Sequence, residues 1–367
     1  RRRGAADAEG QPKMELVTLL ACSVTAAVAF LLFATLAVAR QRYLLSFGYH
    51  SPNLADPLPP AMSVDGVEAF IKQRDQAHAP LKPNNESAIY WAPGKENVQV
   101  ELCVVMIHGW SSCPIEIDPV DAAVARALGA HLLRYRLTGH GLAPPERAGE
   151  MMLKTATRDA LFGDVATGFA LGKLLGRRVV LLGVSMGGGI STWLATRPWA
   201  LPELAGLLLI APAYGVNTSR VLAYKYFKWF LRTVPTWLSR ALLHASVGPV
   251  HGLGMRKSPE ARARQMKAWT MAYPSECLLN TIDIFLTIEF GVNSADLKVP
   301  TCVMYNPSDP IVCLESFKKV LQAAPSISYL KVADSEEPHN LTGNLMSPST
   351  VDRCSRHFID FLHANLK

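Results

Sequence analysis

Nowhere in the chain do two cysteines form a Cys-x-x-Cys pair. The seven cysteines, at 22, 103, 113, 277, 302, 313 and 354, stand singly. That spacing excludes a zinc ribbon or a dense disulfide framework, and they read as buried free thiols. Charge is also scarce, at 18% of residues against 49% hydrophobic. The net excess of +7 is not gathered into a basic stripe with interleaved aromatics, and no helix-turn-helix pattern or zinc-finger spacing accompanies it. A nucleic-acid partner is therefore not expected. No segment repeats at a fixed period, and no residue cluster asks for a metal or another cofactor.

Charge is missing altogether between Glu15 and Arg40. As a helix, the run from Leu16 to Ala39 would rise roughly 36 Å, enough to cross a hydrocarbon core of about 30 Å with some tilt. A cleaved signal peptide has an apolar core of about 7 to 15 residues, so the length predicts an uncleaved single-pass anchor at 16–39 behind a tail at 1–15. Orientation follows Lys and Arg near the two ends. Arg1, Arg2, Arg3 and Lys13 precede the span and would place the main domain outside the cytoplasm. If translation starts at Met14, only Arg40 and Arg42 count and the domain is cytoplasmic. The sequon Asn340-Leu341-Thr342 tips the balance to the cytoplasmic side, because a glycan there would obstruct the neighbouring His339. The basic net charge fits attraction to an anionic membrane surface.

A chain of 367 residues suits one α/β domain of roughly 250 to 300 residues with an appendage. Residues 40–86 are rich in Pro, Asn and Ser and read as a linker around one short helix near Val64 to Gln73. From Ser87 onward, apolar β-rich runs alternate with helical stretches: ESAIYWAP, VQVELCVVMIHG, AHLLRYRLTGHG, RRVVLLGVS, LAGLLLIAPA, VPTCVMYNPSD and ISYLKVAD as strands, with DPVDAAVARAL and TRDALFGDVATGFALGKLLG among the helices. Such alternation predicts an α/β fold at 87–367 with a mostly parallel sheet and helices on both faces. Residues 215–296 break the rhythm and read as a helical cap inserted over the sheet's carboxyl edge.

The stretch VVLLGVSMGGG places Ser185 between a buried strand and a helix. A sharp turn there strains the serine backbone and leaves no room for side chains two positions away, which accounts for Gly183 and Gly187. The product is a hydroxyl lifted above the sheet, with a helix N-terminus aimed at charge that develops on a substrate. Such a hydroxyl needs a histidine to take its proton and a carboxylate to orient that histidine. In this topology the order along the chain is Ser, acid, His. Three of the ten histidines lie far enough downstream. His357 and His363 fall on an apolar-periodic closing helix, which leaves His339, in a loop after the last strand. Asp309, in a Pro-flanked turn beyond a buried strand, is the best acid, although such a residue also suits an Asx turn. Asp334 lies too close to His339, and Glu315 falls on the next helix. An oxyanion would be met by the backbone N–H groups of Met186 and of Trp110, the latter following His108-Gly109 after an earlier strand. His108 itself reads as structural.

The motifs HGWSS, RLTGHG, GVSMGGG, NPSDPIV and EPHNLTG resemble the serine esterase branch of the α/β-hydrolase superfamily, particularly monoacylglycerol lipases, lysophospholipases and small carboxylesterases. The resemblance covers residues 87–367. It implies a Ser185, Asp309, His339 triad with Trp110 and Met186 as amide donors. RLTGHG departs from the commoner Pro or Val before Gly-His-Gly.

Within the insertion, Lys225, Lys228 and Arg232 recur at helical spacing, with Phe227, Phe230, Leu231 and Val234 on another side. Such a helix either lies on a lipid surface or packs its apolar face on the sheet. Together these features predict a membrane-tethered serine hydrolase acting on acyl-ester lipids such as monoacylglycerols or lysophospholipids. A thioesterase or acyltransferase would keep the same triad, and a non-catalytic membrane-bound interaction protein on this fold is a further alternative.

Overall fold

The computed structural model describes residues 11–46, 58–59, 61–78, 80–215, 231–232, 234–253, 259–322 and 326–366. Among them, the strands are β1 Ala88–Tyr90, β2 Val100–Ile107, β3 His131–Tyr135, β4 Gly176–Val184, β5 Leu204–Ile210, β6 Val250–Gly252, β7 Ala272–Pro274, β8 Thr301–Tyr305 and β9 Ile327–Lys331. Seven form one sheet in the order β1-β3-β2-β4-β5-β8-β9, and β6 pairs with β7 in a separate ribbon. Within the large sheet only β1, against β3, is antiparallel.

The central strands are apolar without interruption because both faces of the sheet are covered. Val105, Ile107, Leu133, Val179, Leu181, Leu207, Leu209 and Val303 face one cluster. The alternating residues Val104, Met106, Leu132, Val180, Leu182, Leu208, Ile210 and Met304 face the other. The first face is covered by α5 Arg158–Leu175, through Phe162, Val165 and Phe169, and by α6 Met186–Ala195, through Ile190 and Trp193. The second is covered by α3 Val120–Ala127 and α11 Val351–Asn365, through Val124, Phe358 and Leu362. Each such side chain removed from water contributes roughly 1.5–3 kcal/mol. Because β3 lies on one side of β2 and β4 on the other, the strand order reverses between β2 and β4, and in open sheets of this kind ligands bind outside the carboxyl ends at such a reversal.

Two expectations change. The presumed linker contains α2 Val64–Gln76, which is part of the packed domain. Val67 and Ile71 are buried in the same cluster as α5 and β3. Arg74 donates to Asp164 Oδ1 at 2.6 Å, to the Arg136 carbonyl at 2.8 Å and to Thr138 Oγ1 at 3.0 Å. Asp75 Oδ1 accepts from Arg136 Nε at 3.0 Å and Nη2 at 2.8 Å. Arg136 is buried and needs that carboxylate, so the domain begins upstream of residue 87.

The insertion at 215–296 is also divided. Its last helix, α9 Cys277–Gly291, places Ile284 and Ile288 in the main core beside α6. The remainder includes α7 Thr236–Val247, α8 Pro259–Ala268 and the β6–β7 ribbon, whose β7 lies against α4 Pro145–Thr155. It is tied to the carboxyl edge of the sheet where the Thr270 N–H donates to the Ser111 carbonyl at 2.9 Å. Of the basic helix, Lys225, Phe227, Lys228 and Phe230 lie outside the described residues. Leu231 packs with Leu243, Leu279, Ile282 and Leu286, and Arg232 forms a two-pronged pair with Asp283 at 2.7 and 2.8 Å.

The expected span falls in α1, Gln11–Ser46, a continuous helix. Its described side chains, at 18, 22–38 and 41, are exposed apart from the half-buried Ala34. Among the described residues no helix is long and apolar enough to cross a membrane. The span expected at 16–39 lies partly outside the side chains that are described.

Candidate active site

Ser185 follows β4 with φ 49° and ψ −118°, a conformation that side-chain-bearing residues avoid. Strain of this kind costs on the order of 1–3 kcal/mol and persists only when neighbours enforce it. Here the Ser185 N–H donates to the Ile210 carbonyl at 2.9 Å, and its own carbonyl accepts from Ala213 N–H at 2.9 Å and Gly189 N–H at 3.1 Å. The flanking glycines are required by proximity. A Cβ on Gly183 would stand 2.6 Å from Gly188 Cα, and one on Gly187 would collide with the carbonyl oxygens of Ile107 and His108.

The downstream loops bring the other two predicted residues to this serine. His339 Nδ1–H donates to Asp309 Oδ2 at 2.8 Å, which leaves Nε2 to accept from the Ser185 hydroxyl at 2.9 Å. Asp309 is buried, and its second oxygen accepts from Ile311 N–H at 2.7 Å and Val312 N–H at 3.2 Å. The carboxylate thus orients the imidazole and also makes the Asx turn. The histidine loop is braced by Ser347, which donates to the Asn340 carbonyl at 2.6 Å and accepts from Glu337 N–H at 3.0 Å. The rivals stand elsewhere: Asp334 pairs with Arg353 on the surface, Glu315 is exposed on α10 Leu314–Leu321, His357 meets Ser328, and His363 is exposed.

The loop after β2 packs directly on the serine: a Cβ on Gly109 would stand 3.2 Å from Ser185 Cβ. Neither the Trp110 N–H nor the Met186 N–H meets an acceptor among the described residues. Met186 is the first residue of α6, where an amide has no intrahelical partner. The Trp110 ring stands edge-on to His140 at 5.4 Å and to Tyr273 of β7 at 6.1 Å. His108 is buried with both ring nitrogens engaged: Nε2 accepts from Leu137 N–H at 3.0 Å, and Nδ1–H donates to the Gly109 carbonyl at 2.9 Å. Burial and the neighbouring His140 hold its pKa well below the ordinary histidine range, so it stays neutral and shapes the loop.

Glu116 is a buried acid that the sequence reading missed. Its Oε2 accepts from Gly109 N–H at 2.8 Å and its Oε1 from Asn340 Nδ2 at 3.3 Å. Its only sequence signal is a lone carboxylate in the apolar run CPIEI, which carries no periodicity. Asn340 is buried with its amide turned inward to Glu116, so the sequon offers no acceptor on the folded surface. Among the described residues no three His, Cys, Asp or Glu side chains converge as a metal site would require.

The model of the alpha/beta hydrolase family matches residues 104–312. The chain belongs to the alpha/beta hydrolase family. The structure described for LipS and LipT, two metagenome-derived lipolytic enzymes, superposes on this family member with a TM-score of 0.57 at 16% identity, over 78% of this chain and 100% of that one. A soluble variant of monoglyceride lipase from Saccharomyces cerevisiae, in complex with a substrate analog, gives a TM-score of 0.52 at 14% identity, over 79% and 97%. At such identities the likeness is one of fold. Comparison with curated proteins found no match.

Proposed function

We propose that this alpha/beta hydrolase cleaves acyl esters of lipids, of the monoacylglycerol or lysophospholipid kind, through an acyl-enzyme on Ser185, while residues 16–39 tether it to a membrane with the domain on the cytoplasmic side. The observation that carries the chemistry is the unbroken relay from Asp309 through His339 to Ser185, at 2.8 and 2.9 Å. As Ser185 Oγ attacks the acyl carbon, its proton passes to His339 Nε2, and Asp309 offsets the imidazolium charge. The oxyanion accepts from the Trp110 and Met186 amides, each worth about 3 kcal/mol of barrier in sites of this type. Collapse expels the alcohol, which takes the proton from Nε2. Water then attacks the acyl carbon, gives a proton to Nε2 and releases the fatty acid as the proton returns to Oγ.

Three observations support the membrane, compartment and lipid parts in turn. Phe30, Leu31, Leu32 and Phe33 of α1 are each at least 60% exposed, a run that no surface among the described residues covers and that a bilayer would cover. All seven cysteines are free thiols, which suits a reducing compartment. The shared fold of a monoglyceride lipase and of lipolytic enzymes makes acyl lipids the first substrates to try.

The test uses the full chain in detergent micelles with monoacylglycerols, lysophospholipids and p-nitrophenyl acyl esters, beside a Ser185→Ala variant. Hydrolysis by the wild type that falls at least about 10³-fold in the variant is expected. A folded wild type that turns over none of these esters, or a variant that keeps its rate, overturns the proposal. Alkaline carbonate extraction of membranes, with and without residues 16–39, tests the tether: release of the intact chain counts against it.

A further inference from the structure

Two loops that begin at different strands must arrive at Ser185 together. One follows β2 and carries Trp110, whose amide would meet the oxyanion. The other follows β9 and carries His339. Glu116 touches both. It accepts from the backbone N–H of Gly109, immediately before Trp110, and from the side chain of Asn340, immediately after His339. Around it the loops interleave further. Asn344 N–H donates to the Asp118 carbonyl at 2.7 Å. Gly343, at φ 106°, presses on residues 116 and 117 so closely that a Cβ there would stand 2.7 Å from the Glu116 carbonyl oxygen.

We propose that Glu116 is a positioning residue that fixes the oxyanion loop and the histidine loop relative to each other, so that the amide donor and the general base are held on Ser185 by one carboxylate. The inference rests on the reading of Ser185 and His339 given above. The geometry requires an acceptor on each side. The Gly109 N–H and the Asn340 side-chain amide are both donors, and a carboxylate is the one side chain that presents two acceptor oxygens and no competing donor when ionised. Fixing Gly109 N–H limits rotation of a residue with little room for a Cβ beside the serine, and so restrains the plane of the next amide. Fixing Asn340 limits the backbone on which the imidazole stands. Neither effect requires Glu116 to touch the substrate.

The experiment is a double-mutant cycle on the full chain, with Glu116→Ala, Asn340→Ala and the double variant, and Glu116→Gln as the conservative change. Ester hydrolysis by the wild type that Ser185→Ala abolishes tests the underlying reading, and is measured first. With that in hand, Glu116→Ala is expected to lower kcat about 10- to 100-fold at nearly constant KM, the effect of misplacing reacting groups by a fraction of an ångström to an ångström. Inhibition by a trifluoromethyl ketone, which mimics the tetrahedral state, is expected to weaken by a similar factor. The double variant is expected to be no slower than Glu116→Ala, because the two side chains act as one link. Glu116→Gln keeps an acceptor for Gly109 N–H and is expected to recover at least about threefold of the loss.

A Glu116→Ala protein that folds and keeps kcat within about twofold overturns the inference. So do strictly additive losses in the cycle, or a loss confined to KM. Should Glu116→Ala fail to fold, Glu116→Gln and Asn340→Ala are read by the same kcat, KM and inhibitor criteria. A wild type without ester hydrolysis overturns the reading of the site, and this inference with it.

Discussion

Gly187 lies against the carbonyl oxygen of His108 with no room for a side chain between them. The contact presses the start of α6 onto the end of β2, and that pressure lets Ser185 be held at φ 49°. Gly187→Ala is therefore expected to destabilise the fold by about 2–5 kcal/mol, because the added methyl meets two backbone carbonyls that cannot yield separately. Gly163, in the middle of α5, has no heavy atom within 4 Å of where its Cβ would be. Gly163→Ala should stabilise by about 0.5–1 kcal/mol through lost backbone freedom in the unfolded chain. Urea titrations of the two variants decide both points, and equal effects would contradict the packing described here.

Asp309 divides its two oxygens between a turn and an imidazole. In Asp309→Asn one oxygen becomes an NH₂ donor that must face either the Ile311 N–H or His339 Nδ1–H. The turn amides are fixed, so the donor faces the histidine and selects the wrong tautomer. A fall in kcat of about 10³- to 10⁴-fold with little change in stability is expected. Asp334→Asn, at a surface pair with Arg353, is expected to leave kcat within about twofold. If Asp334→Asn proves the slower enzyme, Asp309 is not the acid.

The β-rich runs and the Ser, acid, His order were legible because each rests on local signals: continuous apolar strands, glycines where backbones must touch, and turn chemistry after a strand. Val67 and Ile71 show where that ends. Their i, i+4 spacing is visible, yet the Pro- and Asn-rich residues around them suggest tethering chain, and only the buried Arg136, just after β3, explains why α2 must dock. Glu116 was illegible for a related reason. A single carboxylate in an apolar run gains its meaning from Gly109 and Asn340, and Asn340 lies more than two hundred residues away along the chain. The division of the insertion between cap and core likewise depends on Ile284 and Ile288 meeting α6, which no local periodicity encodes.

The docking of α2 sets where the domain can be cut. Removing residues 1–86 would expose the surface under Val67 and Ile71 and leave Arg136 buried without Asp75. Breaking a buried ion pair from one side costs about 3–5 kcal/mol, so Asp75→Ala should destabilise by that order. A chain beginning at residue 58 is expected to unfold cooperatively, and one beginning at 87 to be aggregated or molten. Equal thermal transitions for the two truncations would show that α2 adds nothing to the core.

His140 is buried between His108 and Trp110, its Nδ1–H donating to the Thr138 carbonyl at 2.9 Å. Burial, which disfavours the imidazolium, lowers its pKa from the ordinary 6.5 to about 4. The folded state therefore prefers the neutral ring, while the unfolded chain takes up a proton as pH falls below about 6.5. Stability from this group is complete above that pH and is lost as pH drops towards 4, by on the order of 3 kcal/mol. His108 shifts in the same direction and steepens the same acid limb. His140→Phe keeps an aromatic edge for Trp110 and loses the titrating group. The variant is expected to be less stable at pH 7, because the Thr138 carbonyl loses its donor, yet to lose less stability between pH 6.5 and 4. Unfolding free energies across that window test the assignment, and parallel acid limbs for the two proteins would show that His140 carries its proton equally well folded and unfolded.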